Sequence, residues 1–206
     1  EVEATHRIEL MGGEKDRALL YLGYEGFTEM VDLEQKIANR ICLAHGATYH
    51  GLEAGEQWFK TRFSTKKMQD YDATRGGTAD AIEVAAPWDC IENVWRSMRE
   101  ALEPMTEVVD CHFSHVYHSG ASVYVIFHAK TGMDDVEGAK RYRQCLKTAV
   151  ETSIANGGNV SHHHGVGTAK AEFLVDEHGD AGMKVMRQIK QALDPKGLMN
   201  KGVLGL

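Results

Sequence analysis

Apolar and polar positions along this chain switch between strand and helix periods. Residues 18–23 form a short apolar run closed by glycine, which predicts a buried strand. Residues 28–45 carry Met30, Leu33, Ile37, Ile41 and Leu43 at helical spacing, with Thr28 expected as N-cap and Gly46 as the C′ stop. Residues 47–52 read as a second strand, and residues 55–72 as a partly helical basic stretch that breaks at Gly76-Gly77. Residues 79–86 are the next strand. Pro87 stops it, and Trp88-Asp89 opens a helix to about Glu103, ended by Pro104. Residues 108–117 and 121–130 are strands on either side of His118-Ser119-Gly120, a hairpin. Asp134-Asp135 starts a long helix to Ala155, stopped by Gly157-Gly158. A last helix is expected over residues 179–193, before Pro195.

This order could describe an α/β chain. The central hairpin favours an α+β domain instead, an antiparallel sheet covered by helices on one face and related to a ferredoxin-like unit. At 206 residues the chain is long enough to bury a sizeable core as one domain. No apolar run approaches the ~18–20 residues of a membrane helix, and the acidic opening Glu1-Val2-Glu3 is no signal peptide. A net charge of −7 argues against a nucleic-acid partner. Cys42, Cys90, Cys111 and Cys145 stand far apart, so they read as reduced thiols in a cytoplasmic protein.

Candidate chemistry concentrates in histidine, present 11 times. His162-His163-His164 lies beside Gly165 and Gly167, where the backbone can approach a ligand. Imidazoles can donate, accept or ligate near neutral pH. Adjacent histidines are poor ligands for tetrahedral zinc, so no metal is expected, although a His-rich non-catalytic or metal-binding module is the alternative reading. His112, His115, His118 and His128 surround the hairpin. On an ideal strand His112 and His118 share a face that His115 does not. Tyr117 and Tyr124 lie there too. A phenol becomes a general acid or base once its proton affinity is tuned, and the histidine triplet is the neighbour expected to lower it. Lys60, Arg62, Lys66 and Lys67 form a patch suited to an anionic small molecule. No G-x-G-x-x-G or G-x-x-x-x-G-K-[ST] phosphate cradle occurs.

Ser161-His162-His163-His164-Gly165-Val166-Gly167, the Asn156-Gly157-Gly158 before it and the Asp194-Pro195 tail through Asn200 resemble a known family. It is the C-terminal (cap) domain of FAD-linked oxidases of the vanillyl-alcohol oxidase type, most like alkyldihydroxyacetonephosphate synthase. Glu83 with Pro87-Trp88-Asp89, and Gly120-Ala121-Ser122-Val123-Tyr124, fit the same pattern. The resemblance implies an FAD-dependent oxidoreductase in which Tyr124, His162, His163 and His164 are catalytic. It also implies that His163, His164 and Asn200 contact the cofactor; Arg62, Lys66 and Lys67 of the basic patch are the candidates to receive the substrate. Gln69 stands where the synthase has an arginine before the aspartate matching Asp70. FAD would be held mainly by an N-terminal domain of the same polypeptide, absent from this chain, so residues 1–206 are expected to be one cap domain, inactive alone. The opening at Glu1 rather than Met fits a piece of a longer protein, and a homodimer stays open.

Overall fold

Burial that alternates along the central strand from Val123 onward sets the architecture. In the computed structural model, which describes residues 2–3, 18–64, 78–129 and 135–206, the central strand is β5 (Gly120–Ala129). Its neighbours are β4 (Thr106–Ser114) and β3 (Ala79–Pro87), both antiparallel to it. Short β1 (Val2–Glu3) and β2 (Leu19–Leu20) extend the sheet beyond β4, giving the order β2-β1-β4-β5-β3. On β5 the residues Ala121, Val123, Val125, Phe127 and Ala129 point into the core. Their partners are Ala86, Val84 and Ile82 on β3 and Cys111 on β4. Alternation then turns Ser122, Tyr124, Ile126 and His128 to the opposite face.

Helices cover the first face. α1 (Thr28–Ala44) and α2 (Glu53–Thr61) precede β3. α3 (Ile91–Leu102) buries Ile91, Val94, Met98 and Leu102, one stripe at helical spacing. α4 (Asp135–Ala155) adds Cys145, Leu146, Ala149 and Val150, and α5 (Leu174–Leu193) adds Leu174 and Met183. This is the expected α+β class, an antiparallel sheet with its core under helices.

Several local expectations are corrected. Residues 47–52 form no strand: Gly51 sits at φ 83° and Tyr49 and Leu52 are exposed, so no partner strand satisfies that backbone. The strand expected over 18–23 shrinks to Leu19–Leu20. Thr28 is the first helical residue rather than the N-cap, a place taken by Phe27 without a side-chain bond. Gly46 at φ 82° does follow the helix as its C′ residue. Met30, Leu33, Ile37, Ile41 and Leu43 on α1 are exposed rather than packed into the core. α5 begins five residues early, and Gly179 (φ 64°, ψ 172°) is a kink inside it, not its start. All four cysteines are free; burial pushes the Cys145 thiol up to about 11 and Cys111 higher still. Among the described residues no helix is long and apolar enough to cross a membrane.

Gly120 shows how tightly β5 meets β3. A Cβ there would lie 2.1 Å from the Ala86 carbonyl oxygen and 2.9 Å from Pro87 Cα, both backbone atoms. Gly120→Ala is therefore expected to cost about 3 kcal/mol, the upper end of ordinary overpacking. Urea unfolding of the two chains measures it, and a loss under ~1 kcal/mol would show that the strands can part without penalty.

Candidate active site

Register places one row of polar side chains across the open face. Tyr124 on β5 stands opposite Glu83 on β3 and opposite His112 on β4. The His112 and Tyr124 rings stack, with centroids 4.5 Å apart and planes 12° from parallel. Neither stacking nor ring identity disturbs the strands, because side chains on this face do not compete with the helix-covered core.

The histidine triplet reaches this row from a loop fastened to the edge of β3. Asn159 fastens it twice: its backbone N–H donates to the Ala85 carbonyl (3.0 Å), and its side-chain Oδ1 accepts the Ala85 N–H (2.7 Å). Asn159 Nδ2 donates to the Ser161 carbonyl (3.1 Å), and Val160, wholly buried, anchors the loop in the core. The loop then delivers three successive amides to one carboxylate. Glu83 Oε2 accepts the backbone N–H groups of His162 (2.9 Å), His163 (3.1 Å) and His164 (3.4 Å). Ser161 Oγ lies 3.5 Å away on the same oxygen. Such a run of amides is an anion nest, here filled by the protein's own side chain.

Glu83 is fully buried. Burial alone would raise its pKa, but the amides of His162 and His164, the charge available on His163 and the His163 amide together hold it below the usual value. Lys170, also buried, donates from Nζ to the Glu83 carbonyl (2.9 Å) and to Ser161 Oγ (3.2 Å). Its own pKa is pushed down by burial, against the pull of Glu83 and Asp80.

Five rings gather against the row. His164 stands edge-on to Tyr124 at 4.9 Å, and His163 lies 6.0 Å from it. His115 packs 4.1 Å from His163, and Tyr117 meets His162 edge-on at 5.4 Å. His115 joins the site because β4 ends at Ser114 and His115 adopts φ 49°, which turns the chain back over the face. The face alternation expected for a continuing strand does not apply. Trp88 steadies this connection: its ring Nε1 donates to the Tyr117 carbonyl (3.1 Å) and its backbone N–H to the Ser119 carbonyl (3.2 Å).

The expectation about proton affinity resolves differently. Burial, then Asp80 and Glu83, raise the Tyr124 pKa, so the triplet does not lower it and the phenol stays protonated at neutral pH. Burial, with His115 and His164, lowers His163 against the pull of Glu83, leaving a neutral ring suited to accept a proton.

The site thus unites Tyr124 with His162, His163 and His164, and adds Glu83, Lys170, His112 and His115. Glu83 was legible only through the family pattern; nothing in the sequence marked Lys170. Asn200 is an exposed tail residue at φ 46° whose carbonyl accepts the Val203 N–H (3.1 Å). The Arg62 guanidinium lies over the rings of Phe59 (4.1 Å), Phe63 (4.8 Å) and Trp58 (5.6 Å). Lys66 and Lys67 lie outside the described residues. Glu83 Oε1 with His162 Nδ1 and His163 Nδ1 forms a group close enough to reach a metal ion, although spacings of 2.9–3.2 Å also suit hydrogen bonds.

Residues 3–204 match the protein family described as "FAD linked oxidases, C-terminal domain". The chain belongs to this family. Among its relatives is alkyldihydroxyacetonephosphate synthase of Trypanosoma brucei brucei, 27% identical over 193 residues, covering 91% of this chain and 31% of that protein. The same-named protein of Caenorhabditis elegans is 27% identical over 184 residues, 85% of this chain and 30% of that one. Two solved structures of alkyldihydroxyacetonephosphate synthase share the fold, with TM-scores of 0.58 and 0.61 at 19% and 15% identity. They cover 86% and 97% of this chain but 30% and 37% of theirs. This FAD-linked oxidase C-terminal domain therefore spans about a third of the relatives' length. The family implies FAD. The face described here suits the cofactor's flat ring, with imidazoles, a phenol and stacked aromatic edges as its donor set, while the sequence offers no glycine cradle for the phosphates.

Proposed function

We propose that this chain is the substrate (cap) domain of an FAD-dependent oxidoreductase resembling alkyldihydroxyacetonephosphate synthase, closing over a flavin held mainly by an N-terminal domain of the same polypeptide. The observation that carries this reading is the convergence of Tyr124 with His163 and His164, at 6.0 and 4.9 Å, from a strand and a separately anchored loop. Bound flavin would supply the redox change or group exchange. This chain's residues do the rest. Tyr124, protonated at neutral pH, donates a proton to the reacting substrate atom. His163 and His164 line the ring's reactive side, and His162 completes the wall toward Tyr117. His163, held neutral, takes the proton on the return step. Asn200 is carried over as a cofactor contact. Arg62, with Lys66 and Lys67, is the candidate receiver of an anionic small-molecule substrate, where a fixed planar cation matches phosphate or carboxylate. Free cysteines suit a cytoplasmic setting.

The domain alone is expected to bind FAD weakly or not at all, because the phosphates carry much of a dinucleotide's recognition and no cradle for them is present. A purified sample of this chain should be colourless after gel filtration with FAD. Stoichiometric yellow flavin would contradict the division of labour. Zinc titration separates the alternative: tight stoichiometric zinc that leaves flavin turnover of the complete enzyme unaffected would mark a metal-binding module instead.

A further inference from the structure

Glu83 has two oxygens in different situations. Oε2 is committed to the three amides of the triplet loop. Oε1 is buried with no aligned hydrogen bond, yet lies 2.9 Å from His163 Nδ1 and 3.2 Å from His162 Nδ1. An ionised carboxylate offers only lone pairs, and a neutral imidazole has one N–H and one lone pair. At 2.9 Å an unprotonated His163 Nδ1 would set two lone pairs against each other at a buried carboxylate oxygen, whereas His162 Nδ1, 3.2 Å from Oε1 and 3.1 Å from His163 Nδ1, is free to act as the acceptor beside it. We propose that Glu83 is the positioning carboxylate of the triplet, holding His163 in its Nδ1–H form so that Nε2 keeps the ring's one lone pair for proton transfer. The same carboxylate thus fixes both the backbone of the loop and the proton on its middle ring.

Three observations agree with this role. Glu83 and Tyr124 are register partners, so the carboxylate and the phenol share a fixed spacing set by the sheet. Lys170 places its ammonium against the Glu83 carbonyl and Ser161, which helps balance a buried negative charge. A ring flip of His163 would turn a carbon toward Oε1 and take the ring's polar edge away from the carboxylate. Carboxylates that orient a histidine through Nδ1–H in this way set which nitrogen does the chemistry.

This inference rests on the proposed function for its purpose, but its test does not use activity. The chain is labelled with nitrogen-15 in histidine, and long-range nitrogen–proton correlations assign the tautomer of each ring at slightly alkaline pH. The expected result is His163 protonated on Nδ1 and bare on Nε2. In Glu83→Gln, loss of the carboxylate charge 2.9 Å from Nδ1 should shift the tautomer ratio of His163 toward Nε2–H about tenfold or more. His178, on α5 outside the site, should not change. His163 found as Nε2–H in the unaltered chain would overturn the proposal, and that spectrum decides the matter even if Glu83→Gln does not fold. An unchanged His163 pattern in a folded Glu83→Gln would overturn it as well. If the tautomer is as expected but Tyr124→Phe keeps full turnover in the complete enzyme, the proposed function fails while Glu83 keeps its role.

Discussion

Tyr124→Phe is expected to lower turnover of the complete flavoenzyme by about 10²–10⁴-fold, the range for loss of one general acid. The change deletes one oxygen and leaves the ring. Stacking on His112 at 4.5 Å and the edge contact with His164 at 4.9 Å are both ring contacts, so packing should survive. Because burial and the carboxylates of Asp80 and Glu83 keep the phenol protonated, the lost function is proton donation. An interaction used only in the transition state lowers kcat and kcat/KM together, so substrate affinity should change far less than turnover. Val123→Ala is the control one residue away. Val123 faces the helix-covered core and is fully buried, so its truncation should cost stability and spare the chemistry. Steady-state kinetics at saturating substrate measure both. Near-full turnover in Tyr124→Phe would reduce this tyrosine to a packing residue and leave the histidines as the proton-transfer groups.

Phe127→Ala should have the largest effect on stability. Phe127 is fully buried on β5, opposite Val109 on β4, with its ring centroid 6.4 Å from that of Tyr142 on α4. It joins the sheet to the long helix. Truncation removes the ring's burial and leaves a cavity among Val125, Ala129 and neighbouring side chains that strands cannot collapse to fill, at a cost of about 3–5 kcal/mol. For a domain of this size that lowers the melting midpoint by roughly 6–20 °C. Calorimetry of the two chains gives the number. A drop under ~3 °C would mean that the sheet and α4 are joined elsewhere.

What the sequence disclosed follows from how each element is stabilised. β3, β5, α3 and α4 carry strong period-two or period-3.6 patterns because each buries one whole face, and their bounds were legible to within a few residues. β1 and β2 are two-residue strands held by pairing, with no period to read. α1 has a clean apolar stripe, yet the stripe is exposed, since amphipathicity reports a face that avoids water and not the surface that covers it. In the site, the triplet stood out as three adjacent histidines and the role of Tyr124 came from resemblance; their meeting came from the register of β5 with β3 and from Asn159 tying the loop to Ala85. The expectation that the histidines would lower the tyrosine pKa failed because burial, and then the neighbouring Asp80 and Glu83, push it the other way. Glu83 entered through the family pattern it shares with Pro87-Trp88-Asp89. Its task was not legible, because hydrogen bonds to backbone amides some eighty positions away leave no trace in side-chain identity.

The row of Glu83, Tyr124 and His112 also limits how such a domain can diversify. Inserting or deleting one residue within β5 would swing Tyr124 to the helix side and bring Val123 or Val125 into its place, ending both core and site at once. Length changes are tolerable in the connection that bears His115 and Tyr117, outside the strands. Relatives that act on differently shaped molecules should therefore differ in the size of that connection and in the identity of single rungs, with the number of residues between rungs unchanged.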